Sequence, residues 1–430
     1  MPAPRVVFGR GLPALIAANA LIAAGERVLW LDPGDGPAVE PSLDPAPWRA
    51  RAADQHRLEG VLGPLRPATP RQRAVVLDGH VLTLPLGRRD RARLLGLTAG
   101  TEALGALLRA RARSVIAEAI GGGQEERSYK DWSIRRFGEP LHRMHFARYA
   151  RRRWGAAAEA LSASTAWWHH FVPHDATLVE PVGGVDACAE LLLRRFLAAG
   201  GERETGASIA SFGRNGGRIT RMTLGDGTEL SIDAPPWLQA NPHEIAGWLG
   251  AGALPPGMEH VARALQSADR LLLELPDPTP TIDQELHLLD DGPFWMLRRT
   301  GGRITLVGTA NASEPTPTDL TPWIAAATSI CGPLHVEGEP RLRRLSGVQP
   351  QWRPQTLAWM RDLLVAWDRL GIVSFGRAGT LADLDPAEQA RYALLITEGE
   401  ADQREAHRLV AEPSASEADL LASTGAVITR

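Results

Sequence analysis

Hydrophobic positions at the start of the chain form two short apolar runs on either side of an alanine-rich segment. The first run, Arg5–Phe8, and the second, residues 27–31, are each long enough for one buried strand. Between them, residues 12–24 carry leucine, isoleucine and alanine at positions suited to packing on a sheet, and Asp32 closes the second run. The pattern predicts a strand, a helix and a second strand, which is the unit from which parallel α/β sheets are built.

Later segments keep alternating between strand patterns and amphipathic helix patterns. Strands are predicted at 208–212, 218–224, 228–232, 270–275, 285–289, 294–298, 303–307 and 372–375. Helices are predicted at 91–117, 130–166 (mostly helical), 186–197, 255–268, 318–328 with Thr318 or Thr321 as N-cap, 355–370 and 385–397. A hairpin is predicted over 75–86, because Asp78-Gly79 is a favoured two-residue turn. We interpret residues 33–70, which are rich in Pro, Gly, Asp and Arg, as a loop, and the polar C-terminal residues as loosely held.

The turn after the first predicted strand has the spacing G-x-G-x-x-G/A over residues 9–14. In such a turn Gly9 permits the sharp bend, Gly11 lets a pyrophosphate approach the backbone, and Ala14 allows close packing of the helix on the sheet. The helix N-terminus offers free N–H groups to the phosphates. Asp32, at the tip of the second strand, is placed to accept hydrogen bonds from a ribose. Together these features predict a dinucleotide-binding turn.

Composition narrows the class of protein. The chain has 430 residues, 44% of them hydrophobic, so it can form two or three lobes with a sizeable core. Its net charge of −3 argues against a dedicated nucleic-acid surface. Its only cysteines, Cys188 and Cys331, are far apart in sequence, which argues against a disulfide framework or a cysteine zinc site. No apolar run reaches the length of a transmembrane segment, and we expect a cytoplasmic protein.

The order of these parts resembles the flavin-containing amine oxidase superfamily, in particular its protoporphyrinogen-oxidase-like and UDP-galactopyranose-mutase-like branch. Three segments carry the resemblance. They are the N-terminal glycine turn, the stretch EPVGGVDACAELLLRRFLAAGGERETGASI at 180–209, and the stretch GIVSFGRAGTLADLDPAEQA at 371–390. The last is similar to the C-terminal flavin motif of the family, in which a strand delivers Gly-Arg to the cofactor and a helix follows.

The resemblance implies an α/β fold, a Rossmann-like doubly wound FAD-binding domain with an inserted α+β substrate domain. The FAD-binding parts would be residues 1–85, 175–235 and 345–430, the last with the C-terminal tail. The substrate lobe would be a helical insertion at 86–174 and a sheet and helix at 236–344. The cofactor would be FAD, and the resemblance places the following residues near it: Gly9, Arg10, Gly11, Ala14, Asp32, Ile209 (through its backbone), Gly376 and Arg377.

Several positions depart from the family pattern. Asp32 stands where a glutamate is usual, and the following residues DPGDGPAVEPSLDP lack the family's Gly-Gly-Arg loop. Arg10 replaces a small residue between the first two glycines, where it would either clasp phosphate or block it. Asp383 stands where an aromatic residue is often found, and Ala387 where an acid is. These departures leave both a working and a decayed flavin site open.

No residue is assigned a catalytic role. His142 and His145 have metal-ligand spacing on a helix but no firm acidic or cysteine partner, so core or pocket-lining roles are favoured, as they are for His169, His170 and His174. Arginines between residues 143 and 153 form either a site for an anionic substrate or a solvated helix face. Three tryptophans are candidates to flank a flat ligand, with ordinary packing as the alternative: Trp167, Trp168 and Trp295.

Three functions remain open at this point. The first is an FAD-dependent oxidoreductase that acts on a small or apolar substrate. The second is a non-catalytic relative whose flavin site has decayed and which serves as a binding or assembly partner. The third is a flavin-dependent mutase that does not carry out net redox chemistry. A small-molecule substrate, a protein partner and a homo-oligomer are all compatible with the sequence.

Overall fold

The computed structural model describes residues 3–34, 47–68, 72–84, 126–166, 176–255, 257–265, 267–277, 284–300, 302–310, 314–334, 336 and 338–411, with isolated positions between 101 and 112. Its strands are β1 (Arg5–Phe8), β2 (Val28–Asp32), β3 (Trp48–Arg51), β4 (Leu65–Pro67), β5 (Gln72–Leu77), β6 (His80–Leu84), β7 (Ala176–Pro181), β8 (Glu202–Thr205), β9 (Ile209–Asn215), β10 (Arg218–Leu224), β11 (Glu229–Ser231), β12 (Trp237–Leu238), β13 (Ser267–Pro276), β14 (Gln284–Leu288), β15 (Met296–Thr300), β16 (Arg303–Ala310), β17 (Arg341–Pro350) and β18 (Val373–Ser374).

The α-helices are α1 (Gly11–Ala23), α2 (Gln55–Leu62), α3 (Tyr129–Phe137), α4 (Glu139–Leu141), α5 (Ala147–Trp154), α6 (Gly184–Ala198), α7 (Pro242–Leu249), α8 (Met258–Ala264), α9 (Thr321–Cys331), α10 (Thr356–Leu370), α11 (Gly376–Thr380), α12 (Pro386–Thr397) and α13 (Gln403–Ala411). A π-helical turn, His142–Phe146, joins α4 to α5. The chain divides into two compact units: a first unit of residues 1–69, 172–266 and 356–417, and a second unit of residues 70–171, 267–355 and 418–430.

A five-stranded parallel sheet forms the centre of the first unit, in the order β18-β12-β1-β2-β8. The chain runs outward from β1 in one direction through β2 and β8, and in the other direction through β12 and β18. The order of strands therefore reverses between β1 and β12. In open α/β sheets, ligands bind at such a switch point, in the crevice beyond the carboxyl ends of the strands.

Helix packing and two small antiparallel sheets complete the first unit. Helix α1 packs against α6 and α12, and its side chains are buried along almost its whole length because it is covered on several sides. The small sheets have the orders β11-β10-β9 and β3-β7-β4. One apolar cluster joins the central sheet to α10, with Met222, Leu238 and Trp367 fully buried in it.

The second unit is built on a seven-stranded sheet, in the order β17-β13-β16-β15-β14-β5-β6. All of its neighbouring strands are antiparallel except β14 and β5, which are parallel. At the tip of the β5–β6 hairpin, Asp78 and Gly79 both have positive φ angles, 48° and 74°, as the predicted two-residue turn requires. A group of packed aromatic rings holds the helical part of this unit together: Tyr129, Trp132, Phe137, Phe146 and Trp154.

Most of the predicted strands and helices are confirmed, and the doubly wound parallel sheet with a second α+β unit is confirmed with them. The interpretation of 33–70 as a loop is wrong, because β3, α2 and β4 lie there. Trp48, Leu58 and Leu62 are each at most 1% exposed, and this burial outweighs the high proline and glycine content around them. The predicted helix 91–117 lies largely outside the described residues.

The start of one helix and the presence of another also differ from expectation. Helix α9 has Leu320 as its N-cap in place of Thr318 or Thr321, and the Asp319 side chain instead accepts the N–H of Thr321 at 2.9 Å. Residues 403–411, expected to be loosely held, form helix α13. Its Gln403 and His407 are each 1% exposed, so polar side chains dock this helix and the apolar pattern alone could not reveal it. Among the described helices, none combines the length and apolar character needed to cross a membrane.

Candidate functional site

The glycine turn lies at the switch point of the central sheet, between the end of β1 and the start of α1. Gly11 adopts a φ of 63°, which favours glycine, and α1 begins there without a capping side chain. The Gly9 N–H donates to the carbonyl oxygen of Leu31 at 3.1 Å, and the Trp30 indole N–H donates to the Gly9 carbonyl oxygen at 2.8 Å. Backbone and side chain from β2 therefore hold the turn in place.

The side chain of Gln239, the residue after β12, lies against this turn. Its Oε1 accepts the backbone N–H of Arg10 at 3.0 Å. A Cβ atom placed on Gly9 would come within 2.5 Å of that oxygen, and one placed on Gly376 within 3.0 Å of the Gln239 Cγ. The structure thus brings Gly9 and Gly376 against the side chain of one glutamine, and we call these three residues, together with the Arg10 N–H, the cradle. Both glycines are needed to admit Gln239.

Arg10 reaches from the turn towards the end of β2. The residue is exposed, and its Nη2 donates to the carbonyl oxygen of Pro33 at 3.1 Å. Its side chain thus connects the glycine turn to the residue that follows Asp32. In a dinucleotide-binding fold this is the span between the pyrophosphate and the ribose acid. The sequence left open whether Arg10 clasps or blocks; here its guanidinium is bonded to the protein's own backbone.

Asp32 is occupied by contacts within the protein. Its Oδ1 accepts the N–H of Gly34 at 2.9 Å, and its Oδ2 accepts from Arg203 Nη2 at 2.6 Å and Nε at 3.2 Å. The residue is 4% exposed. The Arg203 guanidinium also lies over the Trp30 ring, 4.6 Å from its centroid. Sequence reasoning missed Arg203, because its position opposite Trp30 depends on the register between β2 and β8, which only the structure shows.

Two further candidate residues, Ala14 and Ile209, are packed in the core. Ala14 is fully buried, as expected for a small residue that lets α1 lie close to the sheet. Ile209 is 7% exposed, pairs with Leu224 between β9 and β10, and belongs to the apolar cluster of the first unit. Its predicted backbone contact with adenine stays a prediction.

The charged groups of the C-terminal motif, residues 371–390, bond to other groups of the same motif. Gly376 has a φ of 67°, and Arg377, 7% exposed, donates through Nε to the Leu384 carbonyl oxygen at 3.0 Å. Its Nη2 pairs with Asp383 at 2.9 Å. The aspartate that replaces the usual aromatic residue therefore provides the carboxylate that neutralises Arg377. Removing either partner of this buried pair would leave the other charge buried and uncompensated.

Helix α12, which follows this motif, has its N-terminus closed by its own side chains. Asp385 accepts the N–H groups of Ala387 and Glu388 at 3.0 and 3.1 Å, and Glu388 accepts the Asp385 N–H at 2.9 Å. Arg49 pairs with Asp385 and Glu388 at 3.2 and 2.9 Å. The free donors that would make this helix end attractive to an anion are thus already bonded.

These contacts bear on whether the residues fit FAD, the cofactor implied by the family resemblance. A diphosphate needs open space and free donors beside the glycines, and here the Gln239 side chain lies against Gly9 and accepts the Arg10 N–H. A ribose needs an accessible acid, but Asp32 is buried and paired with Arg203. In this structure, two groups that the resemblance assigns to the adenosine diphosphate part of FAD, the Arg10 N–H and the Asp32 carboxylate, are bonded within the protein, whereas the N-terminus of α1 carries no capping side chain.

Two of the histidines singled out in the sequence, His142 and His145, lie in the described part of the chain, and both pack within the second unit. His142 is 3% exposed, and its Nδ1 lies 2.7 Å from the Ser133 hydroxyl. Burial lowers the pKa of His145 to about 4, and its ring stacks on Tyr149 with centroids 5.9 Å apart. Within the described ranges, no group of three His, Cys, Asp or Glu residues could hold a metal ion. Five further candidates lie outside the described residues: Trp167, Trp168, His169, His170 and His174.

The sequence matches no protein-family model, and no curated protein matches it significantly. Solved structures do match. Reduced UDP-galactopyranose mutase aligns with a TM-score of 0.69 at 13% identity, covering 94% of this chain and 96% of the other. A candidate protoporphyrinogen oxidase from Exiguobacterium sp. 255-15 aligns at 0.67 and 14%, covering 93% and 99%. Cyclohexylamine oxidase from Brevibacterium oxydans IH-35A aligns at 0.61 and 14%, covering 95% and 99%.

Identities this low show a shared fold and leave activity undecided. The chain therefore has the fold of UDP-galactopyranose mutase and the amine oxidases, which confirms, at the level of the fold, the resemblance carried by its glycine turn and its Gly376-Arg377 segment.

Proposed function

We propose that this chain is a non-catalytic relative of the flavin-containing amine oxidases, which keeps their fold and serves as a binding or assembly partner. The observation that carries the proposal is the position of Gln239. Its side chain occupies the space between Gly9 and Gly376, and its oxygen takes the turn's Arg10 N–H. The glycines that would admit a cofactor admit this side chain instead.

Three further contacts support the same conclusion. Arg10 spans the turn and Pro33, Arg203 neutralises Asp32, and Arg377 is neutralised by Asp383. The Arg10 N–H and the charges of Asp32 and Arg377 thus each have a partner within the protein. A cofactor would have to break these bonds before making its own, and each broken bond costs about 1 kcal/mol, more where a charge is left buried. A site built this way gains little by binding a dinucleotide.

The second candidate is an FAD-dependent oxidoreductase that acts on a small or apolar substrate. It is favoured by the uncapped start of α1 at Gly11 and by structural neighbours that are described as oxidases. Under this candidate, Gln239 and Arg10 would have to leave the cradle when FAD binds. The flavin would then supply the redox chemistry, while the protein would supply orientation and electrostatics.

The experiment that separates the two is a flavin titration of the full-length protein. The purified chain is scanned for visible flavin absorbance, incubated with excess FAD, desalted and scanned again. We expect a colourless protein before and after reconstitution. Stoichiometric flavin absorbance in either sample would overturn the proposal and favour a flavin enzyme. Turnover of a nucleotide sugar only with reduced flavin would then indicate the mutase in place of the oxidoreductase.

A further inference from the structure

Five arginines lie on the helical segment that ends with α5, and the sequence left open whether they bind an anion or face solvent. They are Arg143, Arg148, Arg151, Arg152 and Arg153. Arg143 lies 3.7 Å from the Glu139 carboxylate, and Arg148 pairs with Asp78 at 2.7 Å. These two arginines are therefore neutralised within the second unit.

Arg153 is held by aromatic rings. Its guanidinium lies 4.7 Å from the ring centroid of Trp295 and 5.9 Å from that of Tyr149. It also donates to the Tyr149 hydroxyl at 3.3 Å. A cation over ring faces is stabilised without any carboxylate, so Arg153 has a structural explanation.

Arg151 and Arg152 have no such explanation. Both line a cavity of about 130 Å³ in the second unit, which we call the arginine cavity. Arg151 is exposed, and within the described part of the chain its side chain makes no hydrogen bond or ion pair. Arg152 donates from Nη1 to the Gly292 carbonyl oxygen at 2.5 Å and from Nη2 to that of Phe294. These carbonyl groups fix its position but do not neutralise its charge.

The hydrogen-bonding capacity of Arg152 is only partly used. A guanidinium has five N–H donors, and two are committed to the carbonyl groups. Its Nε and the Trp295 indole N–H are both buried without an acceptor. Burial lowers the pKa of Arg152, and the nearby Asp291 and Asp290 only partly oppose this effect. Beside the cavity, Arg152 and Trp295 thus keep N–H donors that no acceptor uses.

The other residues that line the arginine cavity limit the size and charge of a ligand. Phe294 and Trp295 provide aromatic surface, Thr309 provides a hydroxyl that is already bonded to the Arg153 carbonyl oxygen at 2.8 Å, and Glu314 places one carboxylate in the lining. Two guanidinium groups outnumber that carboxylate. A cavity of this size compares with an engineered cavity of about 150 Å³ that holds benzene, so the bound group must be small.

We propose that the arginine cavity binds the oxyanion group of a small ligand, a carboxylate or a phosphate, through Arg151 and Arg152. Guanidinium groups match the planar or tetrahedral oxygens of both groups with paired, charge-assisted hydrogen bonds. Arg152 is held ready by its carbonyl contacts, and the exposed Arg151 is free to close on the anion. The proposal is independent of whether the cradle of the first unit binds a dinucleotide.

Calorimetric titration of the full-length protein tests the proposal, with inorganic phosphate and acetate as separate probes at constant ionic strength. Arg151→Gln should weaken binding at least about tenfold, since a hydrogen bond to a charged group contributes enough to change affinity by that factor. Arg143→Gln is the matched control, because this arginine lies on the same helical segment and is already paired with Glu139. The arm that binds more tightly identifies the preferred oxyanion.

Protection from chemical modification locates the binding site without any substitution. Phenylglyoxal modifies exposed arginines, and the bound probe should protect Arg151 but leave Arg143 unprotected when the peptides are analysed by mass spectrometry. Binding of neither probe would overturn the proposal. Equal losses in the two variants, or no loss in Arg151→Gln, would overturn it as well, because the binding would then come from diffuse surface charge.

Discussion

The cradle of the first unit and the arginine cavity of the second differ in how their polar groups are satisfied. The Arg10 N–H of the cradle, and the Asp32 carboxylate at the end of β2, are bonded to side chains or backbone of the same unit. In the cavity, Arg151 and Arg152 have no carboxylate partner among the described residues. In the region that carries the glycine motif, these polar groups are thus bonded within the protein. In the arginine cavity, which carries no recognisable motif, hydrogen-bond donors remain unused.

This difference shows why a motif alone does not establish a binding site. The glycine turn depends on small residues and local geometry, and both are kept here. Binding depends in addition on free space and on donors or acceptors without partners, and side chains from distant segments can remove both. Four predictions, in order of decreasing expected effect, test the difference between the two regions.

Removing the charge of Asp32 should destabilise the protein. Asp32→Asn leaves the Arg203 guanidinium, whose side chain is 10% exposed, without its carboxylate, and we expect the free energy of unfolding to fall by about 3 kcal/mol. Urea denaturation of the full-length chain measures the loss. As a control, Glu202→Gln on β8, the strand of Arg203, breaks an exposed ion pair with Arg27. This variant should lower the free energy of unfolding by about 0.5 kcal/mol or less. Equal losses would mean that Asp32 is not structurally committed.

Emptying the cradle should restore dinucleotide binding. The double variant Arg10→Ala/Gln239→Ala removes both side chains that occupy the turn, and we expect its affinity for FAD to exceed that of the wild type roughly a hundredfold, or about 2.7 kcal/mol. Equilibrium dialysis against FAD measures the gain. Gln55→Ala, an exposed glutamine on α2, is the control. Unchanged affinity in the double variant would show that other departures closed the site.

Acid should lower the stability of the protein through His407, which contacts the end of the helix that begins at Gly376. Burial lowers the pKa of His407 to about 4, and its Nε2 lies 3.1 Å from the carbonyl oxygen of Thr380 at the end of α11. The unfolded chain binds a proton near pH 6.5 but the folded chain does not, so stability is lost as the pH falls from 6.5 towards 4. Between pH 7 and pH 5 this histidine should cost about 2 kcal/mol.

The variant His407→Gln isolates that effect from other histidines. Glutamine can still donate to Thr380 but does not titrate, so the variant should show a flatter dependence of the denaturation midpoint on pH than the wild type. His145, whose pKa burial also lowers to about 4, is unchanged in both proteins and cancels in the comparison. An identical slope in the two proteins would contradict the prediction.

The smallest effect is expected in the arginine cavity. Glu314→Gln removes the one carboxylate among the residues that line it, and phosphate affinity should rise roughly two- to threefold, as expected for one screened charge near the surface. The same calorimetric titration measures the change. A decrease in affinity would indicate that Glu314 positions an arginine and does not oppose the anion.

Much of the fold followed from local patterns. The apolar runs and the Asp78-Gly79 turn predicted elements that the structure confirms, because burial and turn geometry act over a few residues. Strand β12 and helix α13 were missed, since the first has two residues and the second is docked by the polar Gln403 and His407. The segment 33–70 was misread, because its proline and glycine content concealed three short elements.

Neighbouring residues alone specify the strand–turn–helix–strand start, the small residues of the turn and, with them, the type of fold. Whether the turn is open depends on contacts between distant parts of the chain. Arg10 meets Gln239 across 229 residues, and Asp32 meets Arg203 across 171. Contacts between such distant residues arise only when the strands assemble side by side, so no local pattern could show that the cradle is filled.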